Sequence, residues 1–475
     1  MMDGWIADGV TAGLSLSSWG FLLGEVDLPD ESPLVLAGVL LSLVVVYLAS
    51  KLGGELSRLM SLPPVLGELV GGVVVGVSAL HLLVFPEGGA TASDSTLMPV
   101  LQWISSGTLS GESLASIFTT QSEVLSVLAE LGVIILLFEI GLESDLRELT
   151  KVGYQAAVVA IVGVAAPFIA GTLGLIALFH IPTIPAIFAG AALTATSIGI
   201  TSKVLSELGH LKSTEGQMIV GAAVIDDVLG IIVLAVVASL AKTGDVDILN
   251  LVYLIVSASV FLLGAIFLGK FFNQAFVTIA DQLQTRGKLI IPALVFAFLM
   301  AFLANAIHLE AILGAFAAGL VLDETDKRKE LDQQVIPIAD ILVPIFFVTV
   351  GAKADLSVLN PMIAENREGL VIATFLVVVA IIGKIITGWA VFGQPGINRL
   401  AIGVGMIPRG EVGLVFAGIG AASGVLSKPL EAAIITMVIL TTFLAPPFLR
   451  YAFKSQEPDP SDSAESSPLD AAEGI

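Results

Sequence analysis

The sequence predicts an all-α polytopic membrane protein of about 13 transmembrane helices, arranged as two inverted six-helix repeats with two crossed, interrupted helices. Three observations predict it. The first is composition: of 475 residues, 56% are hydrophobic and only 13% are charged, where a soluble domain carries about 25% charged residues. The mean hydropathy is +0.97, and so much apolar surface has no place inside one soluble core. The second is a run of closely spaced hydrophobic segments, most of them near the roughly 17–25 residues that cross a bilayer as helix. The third is a likeness between the two halves of the chain.

Residues 1–33 carry six acidic residues and no Lys or Arg. A secretory signal needs a basic start, so this segment reads as an acidic N-terminal arm. Trp5 and Trp19 in it suit a membrane interface. The transmembrane domain then covers 34–452, with spans at 34–52, 63–85, 124–142, 152–179, 184–206, 217–241, 248–270, 288–306, 308–322, 336–352, 369–392, 399–423 and 429–452. The spans at 308–322 and 336–352 are short, so they are expected to be tilted or discontinuous. Residues 455–475 hold six acids, no Lys or Arg, and many Ser and Pro, which is the composition of a disordered tail.

Charge bias orients this topology. With the loops alternating between sides, 15 basic residues fall on one side and 4 on the other, while Lys384 and Arg409 lie inside spans. The positive-inside rule places the N-terminus outside and the C-terminus in the cytoplasm, in a prokaryotic-type inner or plasma membrane.

The repeat is legible in two places. VLGELVGG at 65–72 resembles ILGAFAAG at 312–319, and LFEIGLESDL at 137–146 resembles FFVTVGAKADL at 346–356, aligning Gly141 with Gly351. The two offsets, 247 and 210, differ by 37, about the length of the loop at 86–122 that the second half lacks. Matched spans are seven apart, an odd number, so they run in opposite directions. Spans one to six pair with eight to thirteen, and the seventh connects them.

Several classes are excluded. The chain has no Cys and four isolated His, which removes disulfides, thiolate chemistry and His-based zinc motifs. The net charge of −21 argues against nucleic acid. No GxGxxG follows a strand pattern, and the tail is too short for a nucleotide-binding domain, so no cofactor is expected.

The strongest chemical signal is VIDDVLG at 224–230. Asp226 and Asp227 lie mid-span, where a carboxylate is costly unless it is paired or lines a water-filled path. Neighbouring helical residues point about 100° apart. One carboxylate can therefore meet a cation from solution while the other meets a fixed basic group. Lys384, also mid-span, with about a dozen apolar residues before it, suits that fixed group better than it suits snorkelling to the interface. The divergence also argues against an intramembrane aspartyl protease, whose two carboxylates share one water, and no enzymatic activity is expected. A cation sensor would need an output domain that is not visible.

Two spans look broken. GAALTATSIGITSK at 190–203 gathers three Thr and two Ser, and GMIPRGEVG at 405–413 places Pro408, Arg409, Gly410 and Glu411 where a helix should continue. They occupy equivalent places, fifth and twelfth, and paired interrupted helices are a transporter's sequence pointer to its binding site. Arg409 and Glu411 are expected to compensate the half-helix ends, a structural role. Glu68, Glu139 and Asn305 are expected to serve helix packing, and Glu143, Asp145 and Asp355 to be solvated at span ends.

VIDDVLG, LLFEIGLESDL, PPVLGELVGG, GMIPRGEVGL and the mid-span Lys384 together resemble the cation:proton antiporter family 2, over roughly 34–452 and in its bacterial Na+/H+ antiporter branch. The resemblance implies secondary antiport of a monovalent cation, Na+ foremost, against H+ by alternating access, and two titrating groups per Na+ would make that exchange electrogenic. It implies that Asp227 binds the cation and that Asp226 pairs with Lys384. With polarity, it points to Thr194, Thr196 and Ser197 as partners of the ion. It further implies a core domain that moves against a dimerisation domain, hence a homodimer in the lipid bilayer. The alternative is K+/H+ exchange or K+ efflux, with Li+ a further candidate ion. Potassium-efflux relatives usually carry a GGEFAF-like segment and a C-terminal nucleotide-binding domain, and this chain has PRGEVGLV and neither of those.

Overall fold

The computed structural model describes residues 32–86, 89–105, 109–243, 248–360, 362 and 366–454. The acidic arm, with Trp5 and Trp19, and the acidic tail lie outside the described residues. All the regular structure among the described residues is helical. Seven helices are long and apolar enough to cross a membrane, and shorter apolar helices lie between them.

The first six spans are α1 (Ser32–Leu59), α2 (Pro64–Val75), α4 (Gly111–Glu143), α5 (Leu146–Phe179), the broken pair α6 (Thr183–Ala192) and α7 (Ile198–Glu207), and α8 (Thr214–Thr243). A short helix, α3 (Leu97–Ile104), sits in the connection after α2, and α9 (Ile248–Gln282) is the connector. The second six are α10 (Ile290–Ala306), α11 (Ala311–Asp323), α12 (Arg328–Lys353), α13 (Asn366–Ile385), the broken pair α14 (Arg399–Gly405) and α15 (Glu411–Ala422), and α16 (Lys428–Lys454).

Packing follows the repeat. α1 packs on α2 as α10 packs on α11, and α5 packs on α8 as α13 packs on α16. Across the halves, α2 packs on α12 and α11 on α4. The matched glycines explain these last crossings. A Cβ on Gly72 would stand 2.3 Å from the Val348 carbonyl oxygen and 2.9 Å from the Cα of Gly351. A Cβ on Gly319 would stand 2.3 Å from the Phe138 carbonyl oxygen and 2.8 Å from the Cα of Gly141. The inverted likeness read at 65–72 and 312–319 is thus one backbone-to-backbone crossing made twice. Without water to exclude, helices in a bilayer associate through such close packing of small residues. Gly351→Ala is expected to strain its crossing by about 1–3 kcal/mol and to lower the melting temperature of the purified protein. Gly153→Ala, with nothing within 4 Å of its Cβ, is the control and should not. Equal melting temperatures for the two variants would refute this account of the crossing.

Two expectations need correction. The second span does not run as helix to residue 85: α2 stops at Val75, where Gly76 turns to extended backbone (φ −84°, ψ −161°) and the Val77 amide leaves the helix to donate to the Ala352 carbonyl at 3.1 Å. The third span starts earlier, at Gly111, where the Ser110 hydroxyl caps the helix by accepting from the Ser113 amide at 3.1 Å. Its polar first turns escape a hydropathy reading, yet Ile117, Phe118 and Gln121 in them are buried. Asp145 and Asp355, aligned by the repeat, stand partly exposed at their span ends as expected, and both serve as helix N-caps. Asp145 accepts from the Arg147 and Glu148 amides, and Asp355 from the Ser357 amide.

The helices form two groups. α1, α2, α4, α10, α11 and α12 pack mainly with one another, as do α5 to α8 and α13 to α16. Contacts between the groups are sparse: most fall on α7 against α2 and α4, with smaller ones of α5 on α11 and of α16 on α2. At α7 the Ser206 hydroxyl donates to Glu143 at 3.2 Å and the Val65 amide donates to Glu207 at 3.2 Å.

Candidate functional site

The two breaks meet. Between α6 and α7 the chain leaves the helix over residues 195–197, and between α14 and α15 over 407–410. The segments cross, with the Ser197 amide donating to the Pro408 carbonyl at 2.8 Å and the Thr196 hydroxyl to the Met406 carbonyl at 3.1 Å. Thr201 adds a bond from its hydroxyl to the Gly405 carbonyl at 3.0 Å. Gly410 permits the approach, since a Cβ there would meet the Ser197 hydroxyl at 2.9 Å. Thr442 of α16 donates to the Arg409 carbonyl. Backbone groups freed by the two breaks thus find partners in the opposite break and in α16, as bilayer depth favours.

The buried charges stand around this crossing. Asp226 and Lys384 are fully buried, and the Lys384 ammonium lies 3.1 Å from Asp226 Oδ2. It also donates to the Thr194 carbonyl at 2.7 Å. Gly163 of α5 makes room, its Cβ position being 3.3 Å from Lys384 Nζ. Arg409, also fully buried, donates from Nη1 to the carbonyls of Ala195 at 2.6 Å and Thr194 at 3.3 Å. Both cations thus face the C-terminal end of the half-helix α6, where the helix dipole leaves partial negative charge.

Asp227 turns away from this pair, as the helical geometry predicts. It is 5% exposed and lines a small pocket with Ala195, Thr196, Ser197, Ile198, Ile312, Gly410 and Val412. Ile312 and Gly410 also line a larger cavity of about 370 Å³. Thr349, Lys353 and Glu130 line that cavity from one helix group, and Arg409, Leu414 and Thr442 from the other. The Asp227 pocket therefore adjoins a vestibule between the groups, on the side opposite the contacts of α7 with α2 and α4.

Of the polar residues expected beside the ion, Thr196 and Ser197 line the pocket. Thr194 stands behind its wall, its hydroxyl donating to Ala191 at 2.7 Å and its carbonyl accepting from both cations. Glu411 opens α15, and its side chain is outside the described residues. Glu68 accepts from the Ser50 hydroxyl at 2.9 Å inside the first group, and Asn305 lines the vestibule. Sequence reasoning missed the second acceptor of Lys384 and the vestibule residue Lys353, which reads as a loop charge at the end of its span.

An inverted repeat around two crossed half-helix pairs, with buried charges at their crossing, is the architecture of a secondary transporter. The chain belongs to the sodium/hydrogen exchanger family: the family model described as "Sodium/hydrogen exchanger, transmembrane" matches residues 34–454. It is 60% identical over 437 residues to the high-affinity Na+/H+ antiporter NhaS3 of Synechocystis sp., covering 92% of this chain and 94% of that one. It is 33% identical over 420 residues to the Na+/H+-K+ antiporter GerN of Bacillus cereus, covering 87% and 96%. The sodium proton antiporter MjNhaP1 from Methanocaldococcus jannaschii has the same fold, with a TM-score of 0.58 at 15% identity over 88% of this chain and 99% of that one.

Proposed function

We propose that this protein exchanges Na+ for H+ across a membrane by alternating access, with Asp227 holding the cation and the proton in turn. The observation that carries the proposal is the division of labour between adjacent carboxylates: Asp226 is occupied by Lys384, while Asp227 lines a pocket next to the vestibule. Thr196 and Ser197 supply further oxygen ligands. Thr194 acts one step back, by holding Lys384 and Arg409 in place. Asp226 is held in the ion pair with Lys384.

The orientation given by the charge bias turns the vestibule outward. The structure is then the outward-facing state, and the contacts of Ser206 and Glu207 close the inner side. The group containing α6, α7, α8, α14 and α15 is the moving core. The other group is the scaffold, and a fixed scaffold suits a homodimer through α1, α2, α10 and α11. Apolar side chains such as Leu40 and Val44 of α1 and Val295 and Phe302 of α10 point outward there, toward lipid or a second copy. Native mass spectrometry in lipid-like detergent should then give dimers, and monomers alone would count against this interface.

In proteoliposomes with an imposed pH gradient, Na+ added outside is expected to dissipate the gradient. Li+ should act similarly, and K+ more weakly. The name of the Bacillus cereus relative supports testing K+ as a second substrate. A gradient collapsed by K+ and untouched by Na+ would overturn the Na+ assignment.

A further inference from the structure

The repeat places opposite charges at its two equivalent mouths. Aligning Gly141 with Gly351 pairs Glu143, at the end of α4, with Lys353, at the end of α12. It also pairs Glu139 with Thr349, one helical turn earlier. The pairing is structural as well. Residues 141–150 and 351–360 show the same order of buried, half-buried and exposed positions. Each segment ends a helix and opens the next helical stretch on an Asp cap. The inversion of the repeat sends the two segments to opposite faces of the membrane.

Glu143 stands at the contact with α7, where it accepts from the Ser206 hydroxyl at 3.2 Å. Glu139 lies one turn deeper, with one oxygen buried, and Lys203, Glu143, Asp332 and Asp340 act on it electrostatically. Acids thus outnumber bases there. Lys353 and Thr349 line the vestibule instead. The Lys353 ammonium is held in that wall, 3.4 Å from the Ser126 hydroxyl and 4.8 Å from the centre of the Phe85 ring. Thr349 is 3% exposed, and its hydroxyl is buried without a hydrogen-bond partner. Where one mouth has carboxylates, the other has a hydroxyl and a cation. The other described charged residues lining the vestibule are Glu130, Glu310 and Arg409, so with Lys353 its acids and bases are level.

We propose that Lys353 sets the sidedness of the transporter: its charge raises the outer KM for Na+, while the acids at the equivalent inner positions keep the inner KM low. The proposal rests on the Na+/H+ reading and the orientation above. The Asp227 pocket adjoins the vestibule. A cation bound for Asp227 therefore passes the ammonium between low-dielectric walls, which focus the field of a charge rather than screen it. When the core moves, the pocket opens toward Glu139 and Glu143, and the cation meets carboxylates. A fixed charge does not change the equilibrium of exchange, which stoichiometry and the gradients set. It changes the affinity on each side. A carrier that expels Na+ must capture it where it is scarce and release it where it is abundant, and a repelling ammonium at the exit favours release.

The test is the KM for Na+ measured separately on each face of the full-length protein, in right-side-out and inverted membrane vesicles. Lys353→Gln is expected to lower the outer KM by about threefold and to leave the inner KM as it was. Lys353→Glu, which copies the inner mouth, should lower the outer KM further, by about tenfold in all. Lys353→Arg keeps the charge and should keep both wild-type values. The difference between wild type and Lys353→Gln should narrow as choline chloride is added, because ions screen the vestibule. A merely structural role would lower the rate without following the charge or the salt. Should Lys353→Gln fail to assemble, Lys353→Met removes the same charge and keeps an unbranched stem beside the Phe85 ring. An assembled, exchanging variant without the charge whose outer KM is that of wild type would overturn the proposal, and so would equal shifts on both faces. A shift confined to the inner face would overturn the orientation and leave the charge effect standing. A wild type that exchanges no Na+ would overturn the antiport reading itself, and this inference with it.

Discussion

Asp227→Asn is expected to abolish exchange, by at least about a hundredfold, while the protein still assembles. The argument is chemical. A carboxylate that trades Na+ for H+ must lose its proton to bind the cation and regain it to reset. An amide can do neither, since it carries no charge and takes up no proton near neutral pH. Each tenfold in rate is about 1.4 kcal/mol of barrier, so the hundredfold requires only about 3 kcal/mol, well below the electrostatic stake of a cation at bilayer depth. Asn has the shape of Asp, and Asp227 lines a pocket rather than forming the Lys384 ion pair, so packing should survive the change. The measurement is Na+-driven dissipation of a pH gradient, with size-exclusion chromatography on the same preparation. A well-assembled Asp227→Asn protein exchanging at the wild-type rate would remove Asp227 from the ion path and leave the pocket without a carboxylate.

The contrast with Asp226→Asn is informative. That substitution strips Lys384 of its partner in a fully buried place, so its loss is mixed, part function and part stability. Removing one member of a buried pair typically costs about 3–5 kcal/mol. The two adjacent substitutions should therefore differ in melting temperature, with Asp226→Asn the less stable.

What could be read in the sequence was what the bilayer makes expensive. Asp226, Asp227 and Lys384 stand out because a charge inside an apolar span needs a reason. The breaks stand out because Pro408 and Gly410 interrupt one helix and clustered Thr and Ser crowd its counterpart. The repeat stands out because Gly72, Gly141, Gly319 and Gly351 must be glycine for backbones to touch. What stayed hidden depends on contacts between distant segments. Nothing in the local sequence says that Lys384 reaches the Thr194 carbonyl, 190 positions away. Nothing local says that Arg409 spends its one engaged nitrogen on the far break rather than beside its own helix end. Hydropathy also misjudged two boundaries, since it registers neither the extended glycine that ends α2 after Val75 nor a polar turn that stays helical in α4. The vestibule escaped because Lys353 and Glu130 look like ordinary end-of-span charges until the helix groups are seen apart.

Lys384→Ala should convert a voltage-driven exchange into one that voltage does not drive, and should move its activity to higher pH. In the wild type, Asp227 and Lys384 each give up a proton for one Na+, so each cycle moves one net positive charge inward as Na+ leaves. A membrane potential contributes about 2.3 kcal/mol per charge per 100 mV, and an inside-negative potential therefore drives Na+ out. Alanine leaves a single titrating group, and with it an exchange of one proton for one Na+. It also leaves Asp226 buried without the ammonium 3.1 Å away. A buried carboxylate deprived of its opposite charge ionises less readily. The sign follows: the charged form that the site needs is reached only at higher pH, so the activity profile of the variant should shift alkaline. Currents driven by Na+ on a solid-supported membrane, recorded across pH for both proteins, make the comparison. A Lys384→Ala current equal to that of the wild type would show that the ammonium neither carries a proton nor sets the charge moved. An unchanged pH profile would show that Asp226 does not depend on it, and Lys384 would then serve only as a strut between α13 and the Thr194 carbonyl.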